Sequence, residues 1–531
     1  MAITYVPILA LCINSFFVIN NTQTLLLTTN GMHINHKKDK AVNTTNNINI
    51  NKTDFLNNDL EEEARKLLAA INKKSFKISL DNAITRAVET NPKLVEAYRQ
   101  IQAAEWIKVG EERGWLPKIN LVGNPIYGRN NQLTTIKARA DEIISGYNVK
   151  SLTNFTSANF FGPQISINWS FFDLARGPSI ASKGNIVEQQ KFLFDSIGRS
   201  IILDVNRAYY DLQATQILVD QYKSLFEISK TALISITAQQ KAGLRDIGNV
   251  SQIATQYYTN LNSYYSSMSL LVTQGSALAS LLNYSGEMIA ITSDRMKPNL
   301  KWDLTLSESL SHGKNFNDEI MAASSNINAI RWEAKSLMNQ YYPKLYLFGS
   351  GNLNQYAGIQ SAYYGQSGAY NSRPGTYDAY NTENTQSVGQ YGLGISWIFD
   401  GGISAAKSLS LSYKEQAAEA QYESVILNVT SKIKSAYGAF KILSPNIQSV
   451  NNGMVAAKLN QEVTQARYEL GLTDVTSLVQ SIQLYSSAVQ QQVTTFRNLN
   501  TAVAELYKYT AIWPDNAVNA FKKRKSTLST K

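Results

Sequence analysis

The chain says the same thing twice, and that repeat limits what it can fold into. Leu116-Pro117-Lys118-Ile119-Asn120-Leu121 returns as Tyr342-Pro343-Lys344-Leu345-Tyr346-Leu347. Trp169-Ser170-Phe171-Phe172-Asp173 returns as Trp397-Ile398-Phe399-Asp400. Gly243-Leu244-Arg245-Asp246-Ile247 returns as Gly471-Leu472-Thr473-Asp474-Val475. Pro343 follows Pro117 by 226 residues, Asp400 follows Asp173 by 227, and Asp474 follows Asp246 by 228. Landmarks in one order with so little drift mean a duplicated unit, so the 531 residues form two copies in one body rather than several unrelated domains.

Both copies run in the same order: helix, strand, long loop, strand, very long helix, tight turn, long helix. In the first, Ser79 or Asp81 caps a helix whose apolar side carries Ile84, Ala87, Val88, Leu94 and Ala97. That helix runs towards Trp115 and stops at Pro117. The second copy opens near Ser307 and stops before Pro343, with Asn317 matching Asn91. Past each proline the period falls to two. Ile165, Ile167, Trp169 and Phe171 alternate with Gln164, Ser166, Asn168 and Ser170; Tyr391, Leu393, Ile395, Trp397 and Phe399 alternate with Gly392, Gly394, Ser396 and Ile398. Each run predicts a strand with one apolar face. The strands straight after the prolines read as shorter and weaker. Either the apolar face lies on a soluble core, or it faces lipid in a barrel with a polar lumen and aromatics at the interfaces. Trp169 and Trp397 fit an aromatic girdle or ordinary core packing equally well. Loops of about 30 residues separate the strands, the second of them, from Gly358 to Gln386, rich in Tyr, Gly, Ser and Asn.

After Asp173 and Asp400 the helical period returns and persists. Ile201, Val205, Ala208, Tyr209 and Leu212 form a stripe that recurs at Val429, Ile433, Ala436, Tyr437 and Phe440. At 1.5 Å per residue, about 65 residues of helix approach ~100 Å, so these helices must pair as long antiparallel coiled coils. Gly243 and Gly471 reverse them, because the turn needs a positive backbone angle. Ser444-Pro445 predicts a bend in the second long helix.

Composition sharpens this reading. Charged residues are 17%, against roughly 25% in an average soluble protein. Asn, Gln, Ser, Thr and Tyr take their place, which suits a wet polar interior. Part of the +10 net charge is terminal, at Lys37, Lys38, Lys40 and again at Lys522, Lys523, Arg524, Lys525 and Lys531. It reads as a solvated basic tail, and no nucleic-acid motif accompanies it. Cys12 is the only cysteine, so a disulfide framework is excluded. With His33, His36 and His312 as the only histidines, no His-centred catalytic machinery is visible. No phosphate loop, metal-ligand cluster or Ser/His/Asp set appears either, and no cofactor is expected. Asp173 and Asp400 are explained by turn formation. The chain does not read as an enzyme. Residues 1–36 carry no charge and hold an apolar stretch from Tyr5 to Ile19, the length of a signal-peptide core. Leu9-Ala10-Leu11-Cys12 is a poor lipidation site, because a bulky Leu precedes the cysteine.

Two strands per copy give four per chain. Four cannot close a barrel, and open edges cannot face lipid, so strands placed in a membrane require several chains to share one barrel. The helices then extend that barrel as a tube.

At this point the sequence resembles the TolC-like outer-membrane efflux protein family. The carrying residues are Asn91-Pro92, Pro117-Lys118, Trp397-Ile398-Phe399-Asp400-Gly401-Gly402 and Arg467-Tyr468-Glu469-Leu470-Gly471-Leu472, over about residues 78–513. The resemblance implies an α+β membrane protein: a homotrimer with a 12-stranded barrel in the outer membrane of a Gram-negative bacterium, continued by a periplasmic helical coiled-coil tunnel. It implies passive export of drugs, small molecules or secreted proteins, as in type I secretion, with an ABC or proton-driven inner-membrane pump joined through a periplasmic adaptor. Residues 1–36 are then the signal segment, 37–77 a flexible N-terminal segment, 78–300 and 301–513 the two efflux repeats, and 514–531 the basic C-terminal tail.

The resemblance places the adaptor contact at Gly243, Leu244, Gly471 and Leu472, with Arg467 leading into the second turn. A mere helix reversal is the plainer alternative. The family often carries acidic residues six and nine positions past the second turn glycine, forming a cation-sensitive constriction; here those positions are Ser477 and Gln480. Asp474 lies one helical turn nearer the tip, matched by Asp246, with Asn249 after it. Either Asp474 caps its helix, or three copies of it ring the pore. The competing class is an elongated coiled-coil structural or adhesive surface protein, which explains the helices but not strands at matching positions in both copies.

Overall fold

The computed structural model describes residues 58–123, 127–137, 149–366 and 377–529. The expected signal segment, with Cys12, His33 and His36, lies outside them, as does the middle of the Tyr-rich loop.

The described residues open with α1 (Asn58–Lys73) and β1 (Ser75–Ile78), so the lead-in expected to be flexible through residue 77 is ordered from Asn58. Next come α2 (Leu80–Thr90) and α3 (Pro92–Arg113). These were expected as one helix, but Asn91 divides them. Its backbone N–H donates to the Ala87 carbonyl and ends α2, while its side chain accepts from the Lys93 N–H and starts α3 with Pro92 at the first position. Ser79, not Asp81, caps α2. The repeat reproduces the device. A capping box of Thr305 and Glu308 opens α6 (Leu306–Phe316), and Asn317 ends it and caps α7 (Asp318–Met338).

The strands follow as β2 (Lys118–Gly123), β3 (Gly128–Lys137), β4 (Val149–Phe161) and β5 (Pro163–Phe172) in copy one, and β7 (Lys344–Gln366) and β8 (Tyr377–Ser396) in copy two. Two expectations fail here. The strand after Pro343 is not short; at 23 residues it is the longest in the chain. Most of the supposed loop from Gly358 to Gln386 is ladder, because β7 and β8 stay paired from Lys344–Ser396 out to Tyr363–Tyr377.

Six strands nonetheless fill four positions. One edge of β7 pairs first with β5 and then with β4, and its other edge pairs with β8 throughout. β2 lies outside β5 and β3 outside β4. The sheet is therefore a four-column antiparallel strip whose edges are β2/β3 on one side and β8 on the other. Neither edge has a strand partner among the described residues.

The long helices are α4 (Arg176–Lys241) and α8 (Ile403–Glu469), at 66 and 67 residues. α8 continues through Pro445 without a break. Each long helix is covered by shorter ones. The half of α4 near the sheet meets α3, with Ser179 bonded to Glu111 and Phe194 against Tyr98. Its far half meets α5 (Ile247–Leu281), where Phe226 packs on Tyr257 and Tyr264. α8 meets α7 and α9 (Val475–Tyr509) in the same manner. Of the expected stripe, Ile201, Val205, Tyr209 and Leu212 are buried, as are Val429, Ile433, Ala436 and Phe440. The second set joins Ile320, Leu499, Val503 and Leu506 in one core cluster.

Between sheet and helix tips, β1 pairs in parallel with β6 (Ile289–Thr292). Against this region lies α10 (Asp515–Ser529), where a solvated basic tail was expected. Lys522, Lys523 and Lys525 are exposed, while Arg524 is half-buried. Ala517, Phe521 and Leu528 are buried, and the Phe521 ring sits between Phe194 and Trp513.

Candidate channel surfaces

The registers sort the sheet's side chains onto two faces. One row reads Ile119, Ile167, Gly349, Tyr391; the next reads Leu121, Ile165, Gly351, Gly389. Trp169, Leu347 and Leu393 form the row below. This face is apolar yet uncovered: Leu121 is 77% exposed, Tyr391 91% and Leu393 66%. The opposite face carries the row Asn120, Ser166, Ser350, Gln390. On it the Tyr346 and Phe348 rings lie across Gly394 and Gly392, whose missing side chains leave them room. An apolar face this broad in water would be an aggregation surface.

Trp169 and Trp397 stand where this apolar face meets the helices. Neither is buried, so core packing does not account for them. The Trp169 Nε1–H donates to the Trp115 carbonyl at 2.8 Å, and the Trp397 Nε1–H donates to the Tyr341 carbonyl at 2.8 Å. The two junctions thus share one hydrogen bond, which ties the end of a strand to the chain entering its neighbour. Asp173 and Asp400 finish each junction differently. Asp173 lies within ion-pair distance of Arg176 and Lys344, whereas Asp400 accepts from the Tyr341 hydroxyl and from the Gly402 and Ser404 N–H groups. Those hydrogen bonds, Tyr341 first, hold the Asp400 carboxyl far below the usual range.

At the other end of the helices the two turns are near copies. Gly243 has φ +77° and Gly471 φ +73°. Leu244 N–H donates to the Gln239 carbonyl and Gly243 N–H to that of Gln240; Leu472 donates to Arg467 and Gly471 to Tyr468. This is the Schellman closure, which needs a left-handed residue where the glycine stands. Leu244 and Leu472 project outward, 74% and 72% exposed. Arg467 is exposed on the last turn of α8.

Asp246 and Asp474 both cap helices. Asp246 Oδ1 accepts from the Asn249 N–H at 2.9 Å and Asp474 Oδ1 from the Ser477 N–H at 3.0 Å. Hydrogen bonds from Ser477 hold the Asp474 carboxyl below its ordinary range. Gln480, one turn further along α9, is exposed.

The tips are not identical, and the difference involves Tyr468 and Arg245, which the sequence motifs contain but to which no role was assigned. Tyr468 replaces Gln240 of copy one; it is buried, and its hydroxyl has no hydrogen-bond partner among the described residues. Burial raises its pKa, against the opposing charge of Arg245. Arg245 also donates to Gln239, and its charge acts on Asp474. Gln252 reaches Thr476, and Gln483 reaches Gln256, so the hairpins touch tip to tip. In the sequence this difference shows in the lead-ins to the turns, Arg467-Tyr468 before Gly471 against Gln239-Gln240 before Gly243.

Among the described residues no group of three or more His, Cys, Asp or Glu is placed to hold a metal ion. Among the described residues no helix is long and apolar enough to cross a membrane.

No family model matches the chain, and no curated protein matches it. Its structure is similar to solved outer-membrane channels. The outer-membrane channel CmeC of Campylobacter jejuni matches 84% of this chain and 89% of its own at a TM-score of 0.65, with 14% identity. The outer-membrane channel OprN matches 81% of this chain and 89% of its own at 0.62, with 16% identity. The outer-membrane protein VceC of Vibrio cholerae matches 81% of this chain and 95% of its own at 0.61, with 15% identity. The chain has the TolC-like outer-membrane channel fold.

Proposed function

We propose that this chain, carrying the TolC-like channel fold, is the outer-membrane exit duct of a tripartite efflux or type I secretion system. The observation that carries the reading is the four-column sheet, uncovered on its apolar face and unpaired at both edges. Four columns at about 4.8 Å make a strip roughly 19 Å wide, far short of closure. Lipid tolerates no open edge. Three chains supply twelve columns, with the apolar face towards lipid and the Asn120–Gln390 row towards a wet lumen. The 66- and 67-residue helices then project as a periplasmic tunnel of about 100 Å.

On this reading the chain conducts passively. An ABC or proton-driven inner-membrane pump supplies the energy, and the cargo is drugs, small molecules or secreted protein. Leu244, Leu472 and Arg467 at the tips meet a periplasmic adaptor; two exposed leucines on glycine turns suit an apolar groove. Asp474 and Gln480 face the narrow entrance, with Asp474 serving chiefly as a cap, so the entrance is less cation-sensitive than an acidic ring would make it.

The test is purification in detergent followed by reconstitution into planar bilayers. Trimers that form water-filled channels are expected. A detergent-independent soluble monomer without conductance would defeat the proposal and leave the elongated coiled-coil surface protein.

A further inference from the structure

The sheet is longer than a membrane requires. A spanning strand needs about 9–11 residues, while β7 has 23 and β8 has 20. The apolar rows from Leu345 to Leu353 cover about 27 Å along the strand, or roughly 20 Å along the bilayer normal at the usual tilt. That is close to the apolar band of about 25 Å in membrane barrels. Above Leu353 the same face becomes more polar and then charged. Phe161, Gln355 and Thr385 share the next row, and after it comes the row Arg129, Asn159, Ala357, Glu383. Leu133, two rows higher on this face, is exposed.

Arg129 is the informative group in this row. It is exposed, and no carboxylate among the described residues lies within ion-pair distance of it. Its Nε–H and Nη2–H both reach the Ser157 hydroxyl, at 3.2 and 3.1 Å, and that hydroxyl donates to Asn131 Oδ1 at 2.7 Å. Glu383 shares the row but lies three strand spacings away, about 14 Å, and accepts from Gln355.

Resting on the trimeric-barrel reading, we propose that the Arg129–Glu383 row marks the outer surface of the bilayer. There Arg129, with Ser157 and Asn131 on the same face, holds the phosphate of an outer-leaflet lipid headgroup. A guanidinium presents a planar donor fork suited to phosphate. A site directly above hydrocarbon meets phosphates at the depth where headgroups lie. The remainder of β3, β4, β7 and β8 stands in water beyond the membrane as a continuation of the barrel.

Full-length trimers in detergent are incubated with diphosphoryl lipid A and examined by native mass spectrometry. Arg129→Ala is expected to lower lipid retention at least tenfold, Arg129→Lys less so, and Glu383→Gln not at all. Equal retention by Arg129→Ala overturns the site. Loss in both Arg129→Ala and Glu383→Gln means that Arg129 serves a neighbouring chain's carboxylate, which also overturns it. In a Cys12→Ser background, Ala357→Cys should react with a membrane-impermeant maleimide on intact cells, while Leu121→Cys and Leu393→Cys should not. Labelling of Leu121→Cys as fast as Ala357→Cys places the boundary wrongly. Planar-bilayer conductance of the same variants separates the two proposals: conducting channels with the wrong labelling pattern sink only the boundary, and silent ones sink the duct.

Discussion

Arg199 on α4 and Asp318 at the start of α7 join the two repeats through a nearly buried ion pair. Arg199 Nε donates to Asp318 Oδ2 at 2.6 Å, and the two side chains are 10% and 11% exposed. The guanidinium also stacks on Trp513 at 3.9 Å, and its Nη1 has no hydrogen-bond partner among the described residues. Burial pushes the Asp318 carboxyl up, and Arg199 only partly offsets this. Arg199→Met keeps a long side chain against Trp513 but leaves a buried carboxylate alone. Removing one partner of such a pair costs about 3–5 kcal/mol, whereas replacing both with apolar groups is often neutral. Arg199→Met should therefore lower the thermal midpoint of the purified protein strongly. Arg199→Met with Asp318→Leu should recover most of the loss, a coupling of at least about 2 kcal/mol. The pH dependence has a definite sign. Because the folded pKa lies above the unfolded value, the folded state binds more protons between the two, and Asp318 makes stability rise as pH falls through that window. Asp318→Asn should abolish that rise. A double variant as unstable as the sum of the singles would refute the reasoning.

At Gly394 an added Cβ would lie 2.4 Å from the Tyr346 ring. Gly394→Ala should cost about 1–3 kcal/mol by overpacking, read as a lower dissociation temperature on unheated gels, and Tyr346→Ala should relieve it. Trp169→Phe and Trp397→Phe each delete one hydrogen bond to a carbonyl, and each should cost about 0.5–1.5 kcal/mol by the same gel assay. On the exit-duct reading, Leu472→Asp should leave conductance intact but abolish efflux in cells, because it alters only an exposed tip. For Asp474, whose folded pKa is depressed, the capping contribution is present above the ordinary carboxylate range and lost as pH falls through the folded value. Asp474→Asn should leave block of single channels by trivalent cations unchanged, and strong block that the substitution removes would restore the acidic ring.

Both long helices, the Schellman turns and the strands β5 and β8 were legible because each has a strong local signal: a period, a glycine or a proline. The four strand positions were legible as well. What failed was extent. The outer parts of β7 and β8, such as Asn354-Gln355 against Thr385-Gln386, carry polar residues on both faces, and a two-sided polar strand has no alternation to read. α10 was hidden by its lysines, since Phe521 and Leu528 are too sparse to outweigh Lys522-Lys523-Arg524-Lys525 by eye. The exposed tip leucines and the junction tryptophans could be named in advance as candidates. Their carbonyl partners, the burial of Tyr468 and the reach of Arg245 towards Asp474 could not, because each depends on a contact between distant segments.

Gly198 on α4 leaves a hollow that only Phe521 fills, since a Cβ there would lie 2.1 Å from the ring. α10, which carries Phe521, also brings Lys523 to Glu89, 434 residues earlier in the chain. An element near the start of synthesis therefore waits for one near the end. Until α10 arrives, Phe194 and the floor of Gly198 stay open to solvent, and contacts of such sequence separation form late in folding. A chain truncated before α10 would carry that vacancy on its surface.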